Sequence, residues 1–246
     1  MLGAAIAFSF ESIRDRRLTK DADRKKHLER IREEVLEKMI EKLASYRSSI
    51  YRNIGGWEIP ISLRRSEPTS SKLFETLELH FPKVKTDWDN FERKMESFGE
   101  GSTALYQLIE NLLAKQHNVS FQRLAEFSDR DLAQHVCIDF FGRLVNPKED
   151  RGPADVITVE PYEEKWLIEH PRGNFFVDGD DRESLDAAKV IRYSLQSYAN
   201  SPDLRKPAAE IAQNYAVLLE DSKKLESLIR DAMARSKLEG KCKYCP

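Results

Sequence analysis

Cys242 and Cys245 stand as Cys-Lys-Tyr-Cys-Pro near the C-terminus, a spacing that lets two thiolates reach one zinc ion or close a small disulfide ring. A structural zinc needs four ligands. No second CxxC exists, and His27, His80, His117, His135 and His170 are scattered without a paired metal spacing. The two cysteines therefore amount to a zinc half-site, to be completed by a distant histidine, a partner chain or further sequence. A redox pair would sit at a helix N-terminus inside a βαβ unit, and neither feature is visible. The competing reading is a frayed tail with no metal, and no other cofactor is expected.

Asp178-Gly179-Asp180-Asp181-Arg182-Glu183 concentrates carboxylates as a cation loop would. It fails the EF-hand pattern, because the glycine is second instead of sixth and Lys189 occupies the place of the closing glutamate. These residues read as a solvated turn and helix cap before Leu185. His135, Cys137 and Asp139 could suggest a Cys/His nucleophile pair, but helical residues two apart point in different directions. Cys137 is expected to pack as a small apolar side chain beside Val136 and Phe140 or Phe141. The chain has no GxxxxGK[ST] loop, no GxGxxG after a strand, no GxSxG and no HExxH, so the enzyme classes that rely on those local geometries are not indicated.

Charge excludes more than it identifies. Lys plus Arg number 40 against 42 Asp plus Glu, a formal net charge of -2, so no global field favours nucleic acid. Two helices at Ser120–Phe127 and Ser128–Val145, followed by a possible hairpin, have the element order of a DNA-binding winged helix. The second carries Asp129, Asp131 and Asp139 against Arg130 and Arg143, the wrong balance for a phosphate backbone. Nucleic acid is thus not an expected partner. Three cysteines make no disulfide framework in 246 residues, which fits a reducing, cytoplasmic setting. Met1–Phe10 is an apolar run too short to span a bilayer, which takes about 20 residues. Seven Lys/Arg against three Asp follow between Arg14 and Lys26. That order is found on the cytoplasmic side of membrane anchors, so association with the cytoplasmic face of a membrane is one expectation. The other is a short apolar segment packed on the protein body.

The elements behind these residues are mostly helices. Leu28, Ile31, Val35, Met39, Leu43, Tyr46 and Ile50 recur in steps of three and four, the stripe of a long helix. Its mean step of about 3.7 exceeds the 3.5 of a left-handed coiled coil, which favours a bundle. Gly55–Pro60 and Ser66–Ser71 break the pattern. A short helix from Leu73 is predicted to stop near Phe81-Pro82, and Pro82 to open the next, with Val84, Trp88, Phe91, Met95 and Phe98 on its face. Gly99 and Gly101 are predicted to end that helix. Ser102 would then cap a helix bearing Leu105, Leu108, Ile109, Leu112 and Leu113, and Ser120 another with Leu124 and Phe127. Ser128 with Asp131 resembles a capping box before Leu132, Val136, Phe140 and Leu144, in a helix ending by Asn146-Pro147.

The β candidates lie between Lys148 and Glu183: Val156–Val159, and a hairpin of Trp166–His170 with Phe175–Val177 across Pro171-Arg172-Gly173-Asn174. Helical spacing returns with Leu185, Ala188, Ile191, Leu195 and Tyr198. After Ser201-Pro202 it resumes with Ile211, Tyr215, Leu218, Leu225, Ile229 and Ala232.

The expectation is a mainly α multi-helix bundle with long N- and C-terminal helices, able to pair antiparallel, and a small irregular or β-hairpin insertion. It divides into an N-terminal segment 1–27, a helical domain 28–147, an insertion 148–183, C-terminal helices 184–238 and the CxxC tail 239–246. The expected function is a non-enzymatic interaction or scaffold role, with a protein partner or self-association. The alternative is an enzyme whose dispersed acidic and histidine residues are gathered only by the fold.

Overall fold

Amphipathic periodicity of this regularity commits the chain to helices that bury one face. The computed structural model describes residues 18–55, 58–60, 71–128, 130–147, 152–170 and 172–239. Helix α1 comprises residues 18–31, a π-helical turn at Arg32–Leu36 and the stretch Glu37–Ile54. Every residue of the predicted stripe, from Leu28 to Ile50, is buried. The wider π turn lets the sequence neighbours Val35 and Leu36 both be fully enclosed, which a regular helix turning 100° per residue does less readily.

Helix α2, Ser71–His80, buries Leu73 and Leu77 and stops before Pro82, as expected. Helix α3 starts on that proline and runs over Pro82–Glu110, continued by a second π turn at Asn111–Lys115. Gly99 and Gly101 do not end it, and Ser102 is not a cap but a buried residue in its middle. The apolar stripe keeps its helical phase across the glycines, from Phe98 through Ser102 to Leu105 and Ile109, all buried. A mid-helix glycine costs about 1 kcal/mol, whereas each large side chain buried on either side contributes roughly 1.5–3 kcal/mol. Burial wins. Leu108, placed on the expected face, is instead 38% exposed.

Helix α4, Asn118–Ala125, begins ahead of Ser120, and neither it nor α5, Leu132–Val145, has a side-chain cap hydrogen bond. Ser128, expected to cap α5, donates backwards to the Leu124 carbonyl at 3.1 Å. Helix α5 ends at Asn146 as predicted. A 3-10 turn at Pro153–Val156 leads into three strands, β1 Thr158–Tyr162, β2 Lys165–His170 and β3 Gly173–Asp178, forming an antiparallel sheet in sequence order. The predicted hairpin exists, but His170 pairs with Gly173, so its link is Pro171-Arg172 alone, and β1 adds a third strand. Helix α6, Arg182–Ala199, and helix α7, Pro202–Glu239, complete the chain. The protein is mainly α with a small antiparallel β insertion.

Two compact units emerge, each built from separated stretches. The first takes its described residues from Met1–Ser45, Ser66–Phe91 and Asp221–Pro246. Its core includes Val35, Met39, Leu77, Trp88 and Ile229, with the Lys42 ammonium 5.6 Å from the centre of the Trp88 ring. The second takes Tyr46–Arg65 and Glu92–Glu220. It contains α4, α5, the sheet and α6. Strand alternation divides the sheet between an inner face of Val159, Ile168, Phe175 and Val177, all buried, and an outer face bearing Tyr162, Leu167 and Phe176. The Arg192 guanidinium of α6 donates to the Val159 carbonyl of edge strand β1 at 3.4 Å.

Tyr162 pairs with Lys165, so Glu163-Glu164 forms the β1–β2 turn, and Glu163 adopts φ of 53°. That left-handed conformation is costly for an L-residue and natural to glycine. Glu163→Gly is expected to raise stability by about 0.5–1 kcal/mol, read as a higher urea midpoint. A lower midpoint would contradict a strained turn.

Candidate functional site

Several ionisable side chains surround a cleft of 350 Å³ where α5, the 3-10 turn and one end of the sheet meet. Helix α5 presents Asp139 and Arg143 one turn apart, so both reach the cleft. The 3-10 turn brings Asp155, and a row across β1 and β2 brings Thr158 and Glu169, which are register partners. His170 closes the rim. Sequence reasoning singled out neither Asp155 nor Glu169 as a site residue, since nothing local marks residues that separate elements bring to one cleft. The fold does assemble acids and a histidine around one space, the arrangement the alternative reading required.

Hydrogen bonding decides what this cluster can do. Arg143 directs Nε at the Asp139 carboxylate, 2.6 Å away, and donates a terminal nitrogen to the Asp155 carbonyl at 2.9 Å. Both side chains of that ion pair are mostly shielded, at 14% and 20% exposure. Asp155 Oδ2 accepts from the Gly152 N–H at 3.0 Å, and Glu169 Oε2 accepts from the Thr158 hydroxyl at 3.1 Å. His170 lies 6.0 Å from the Phe175 ring, with Nδ1 facing the Arg172 N–H at 3.4 Å. Arg143 thus ties α5 to the 3-10 turn, and the Thr158–Glu169 bond joins β1 to β2 beside it.

A second clasp joins α4 to α6. Asp181 caps α6, accepting from the Ser184 N–H at 3.1 Å and the Ser184 hydroxyl at 2.6 Å. Arg123 donates to both of its oxygens at 3.2 and 3.4 Å and to Glu126 at 2.9 Å. The Ser184 bonds, and after them Arg123, hold the Asp181 carboxyl below its ordinary pKa. The Asp178–Glu183 stretch is thus a helix cap, as expected, and its key carboxylate is tied rather than fully solvated.

The other candidates scatter. Cys137 is fully buried and burial pushes its thiol up to about 12, which makes it an inert packing residue. It lies in the core near Tyr106, whose hydroxyl is raised by burial first and then by Cys137 and Glu110. Helix α5, the would-be recognition helix, buries eight of its 14 residues, among them Phe140, Phe141 and Val145. Cys242 and Cys245 lie outside the described residues, as do Met1–Phe10 and the start of the basic run. Among the described residues no three His, Cys, Asp or Glu side chains form a metal-ligand group, and no helix is long and apolar enough to cross a membrane. One juxtaposition escaped the sequence reading: His27 of α1 and His80 at the end of α2 bring their rings to 5.3 Å between centres.

The depressed Asp181 carboxyl adds stability at pH values above the unfolded carboxylate value near 3.9, and that contribution is lost as pH falls through the folded value. Asp181→Asn is therefore expected to lower Tm at pH 7 and to flatten the loss of Tm below about pH 4. Parallel wild-type and variant profiles across that range would contradict the clasp. No family model, curated protein or solved structure matches this chain, so its functional reading rests on the geometry above.

Proposed function

We propose that this chain is a helical interaction or scaffold protein whose contact surface is the outer face of the three-stranded sheet. The supporting observation is the aromatic pair Tyr162 and Phe176, 51% and 48% exposed, with ring centres 5.3 Å apart. Leu167 lies between their strands on the same face. Exposed aromatics held on a rigid sheet are the usual anchors of protein interfaces, since they bury large area at little entropic cost. Around them stand Glu160, Glu163, Glu164 and Asp178 against Lys165. The fitting partner is accordingly a protein segment with an apolar or aromatic anchor flanked by Lys or Arg. Consumption of the cleft's charged groups in internal hydrogen bonds weighs against the enzyme alternative, and burial of α5 weighs against the DNA-binding one.

The test is an immobilised library of short peptides carrying an aromatic residue within basic or acidic flanks, probed with wild-type protein and with Phe176→Ser. Retention of the basic-flanked set, weakened at least tenfold by the substitution, is expected. That factor corresponds to about 1.4 kcal/mol. Equal binding by the variant, a preference for acidic flanks, or a wild-type dimer that Phe176→Ser dissociates would overturn this partner chemistry.

Membrane-face association through the N-terminal segment belongs to the same proposal. Its support is the order of apolar Met1–Phe10 and basic Arg14–Lys26, whose described part from 18 to 26 is an exposed helix carrying Lys20, Arg24, Lys25 and Lys26. Each such cation near an anionic surface contributes about 1 kcal/mol. Full-length chain is expected to sediment with phosphatidylserine-rich vesicles and much less with phosphatidylcholine alone, and neutralising these four residues to Gln should weaken the former. Equal binding to both vesicle types would remove the electrostatic component.

A further inference from the structure

We infer that the partner segment binds as a fourth strand, antiparallel along the edge of β3, and carries a Lys or Arg two positions before its aromatic anchor. The inference rests on the reading of the outer sheet face given above and adds the backbone to it. Strand order makes β1 and β3 the two edges of the sheet, and the two edges differ.

Which backbone groups face outward follows from one proline. Pro161 is the register partner of Trp166 and has no N–H, so the two form a non-hydrogen-bonded pair. The N–H and C=O of Trp166 therefore point at Val177 of β3, and alternation turns those of Asn174, Phe176 and Asp178 away from β2. The same alternation sends the Val159 carbonyl outward from β1, where Arg192 of α6 donates to it at 3.4 Å. Edge β1 is thus blunted by a proline and a charged side chain. Edge β3 is open. There the Asp178 carbonyl accepts from the Asp181 N–H at 3.0 Å, while the outward N–H and C=O groups of Asn174 and Phe176 have no partner among the described residues. Both residues are exposed. Such a row of unpaired backbone groups is a template for an added strand.

Side chains select the occupant. Alternate residues of an added strand lie on the outer face, beside Asn174, Phe176 and Asp178. A residue opposite Phe176 meets a ring that is 48% exposed. One opposite Asp178 meets the acidic end of the sheet, where Glu163, Glu164, Asp178 and Asp180 stand against Lys165. The close approach of Gly179 to the Glu164 carbonyl holds these two turns together. An antiparallel strand runs from Asp178 toward Asn174, so its basic residue precedes its aromatic one by two positions. On the inner side the Phe127 ring of α4 stacks on Phe175 at 6.5 Å and is 41% exposed, which favours an apolar residue directly after the anchor.

The probe is the end-blocked peptide Thr-Lys-Thr-Phe-Val-Thr. Wild-type protein is expected to bind it at least tenfold more tightly than the reordered Thr-Phe-Thr-Lys-Val-Thr, and binding should slow hydrogen exchange of the Asn174 and Phe176 amides. N-methylation at the peptide's Phe, whose N–H faces β3, should weaken binding at least tenfold, whereas N-methylation at its Val, whose N–H faces away, should not. Asn174→Pro removes an edge N–H that β2 does not use. It should keep the wild-type circular dichroism and lose affinity at least tenfold; should it fail to fold, the N-methylated peptides test the wild type directly. Equal binding of the two N-methylated peptides, with Phe176→Ser still weakening both, would overturn strand addition and leave the outer face as the contact surface. Equal binding of the reordered peptide would overturn the antiparallel direction. Absence of binding by every basic-flanked peptide would remove the face reading and this inference together. A wild-type dimer that Asn174→Pro dissociates would put a second copy on the edge and overturn the peptide occupant.

Discussion

Everything in this fold follows from the need to remove long, in-phase apolar stripes from water. A side chain such as Trp88, Phe98 or Ile109, each almost fully buried, contributes more than the local backbone preferences that oppose it. Helix α3 shows the outcome. It passes through Gly99 and Gly101 because stopping there would put Leu105 and Ile109 out of register with Phe98. The two π turns act on the same constraint. By inserting a wider turn, α1 encloses Val35 and Leu36 together, and the turn at Asn111–Lys115 buries Leu113 before α3 ends.

Buried apolar faces leave polar groups that must be satisfied where elements cross. Charge in the second unit is spent on this. Arg143 holds a helix to a 3-10 turn, and Arg123 holds one helix to the cap of another, each through hydrogen bonds to oxygen atoms that would otherwise lose water on burial. Among the described residues, the sheet turns the aromatic pair Tyr162 and Phe176 outward, and the first unit holds the half-buried pair His27 and His80.

Much of the architecture was legible because helical periodicity is a local property. The stripes of α1, of the first half of α3 and of α6, and the proline boundaries at Pro82, Pro147 and Pro202, needed no tertiary information. The β insertion was legible in place and type but not in extent. Thr158–Tyr162 contains a proline and two polar residues, and only pairing with β2 makes it a strand. Capping was the least legible feature. Ser102, Ser120 and Ser128 are good N-caps by type, yet Ser102 is buried within α3, Ser120 falls inside α4, and Ser128 donates backwards to Leu124.

The sequence by itself determined that this chain is mainly helical, where most helices lie, that Cys137 is a packing residue and that Asp181 lies in a capping segment. It did so because spacing and turn chemistry act over a few residues. Only the tertiary structure decided that Asp139, Asp155 and Glu169 share a cleft, that Tyr162 and Phe176 form one exposed face, and that His27 meets His80. Those neighbours are set by how separate stripes pack against one another, and packing carries no mark in the spacing of residues tens of positions apart.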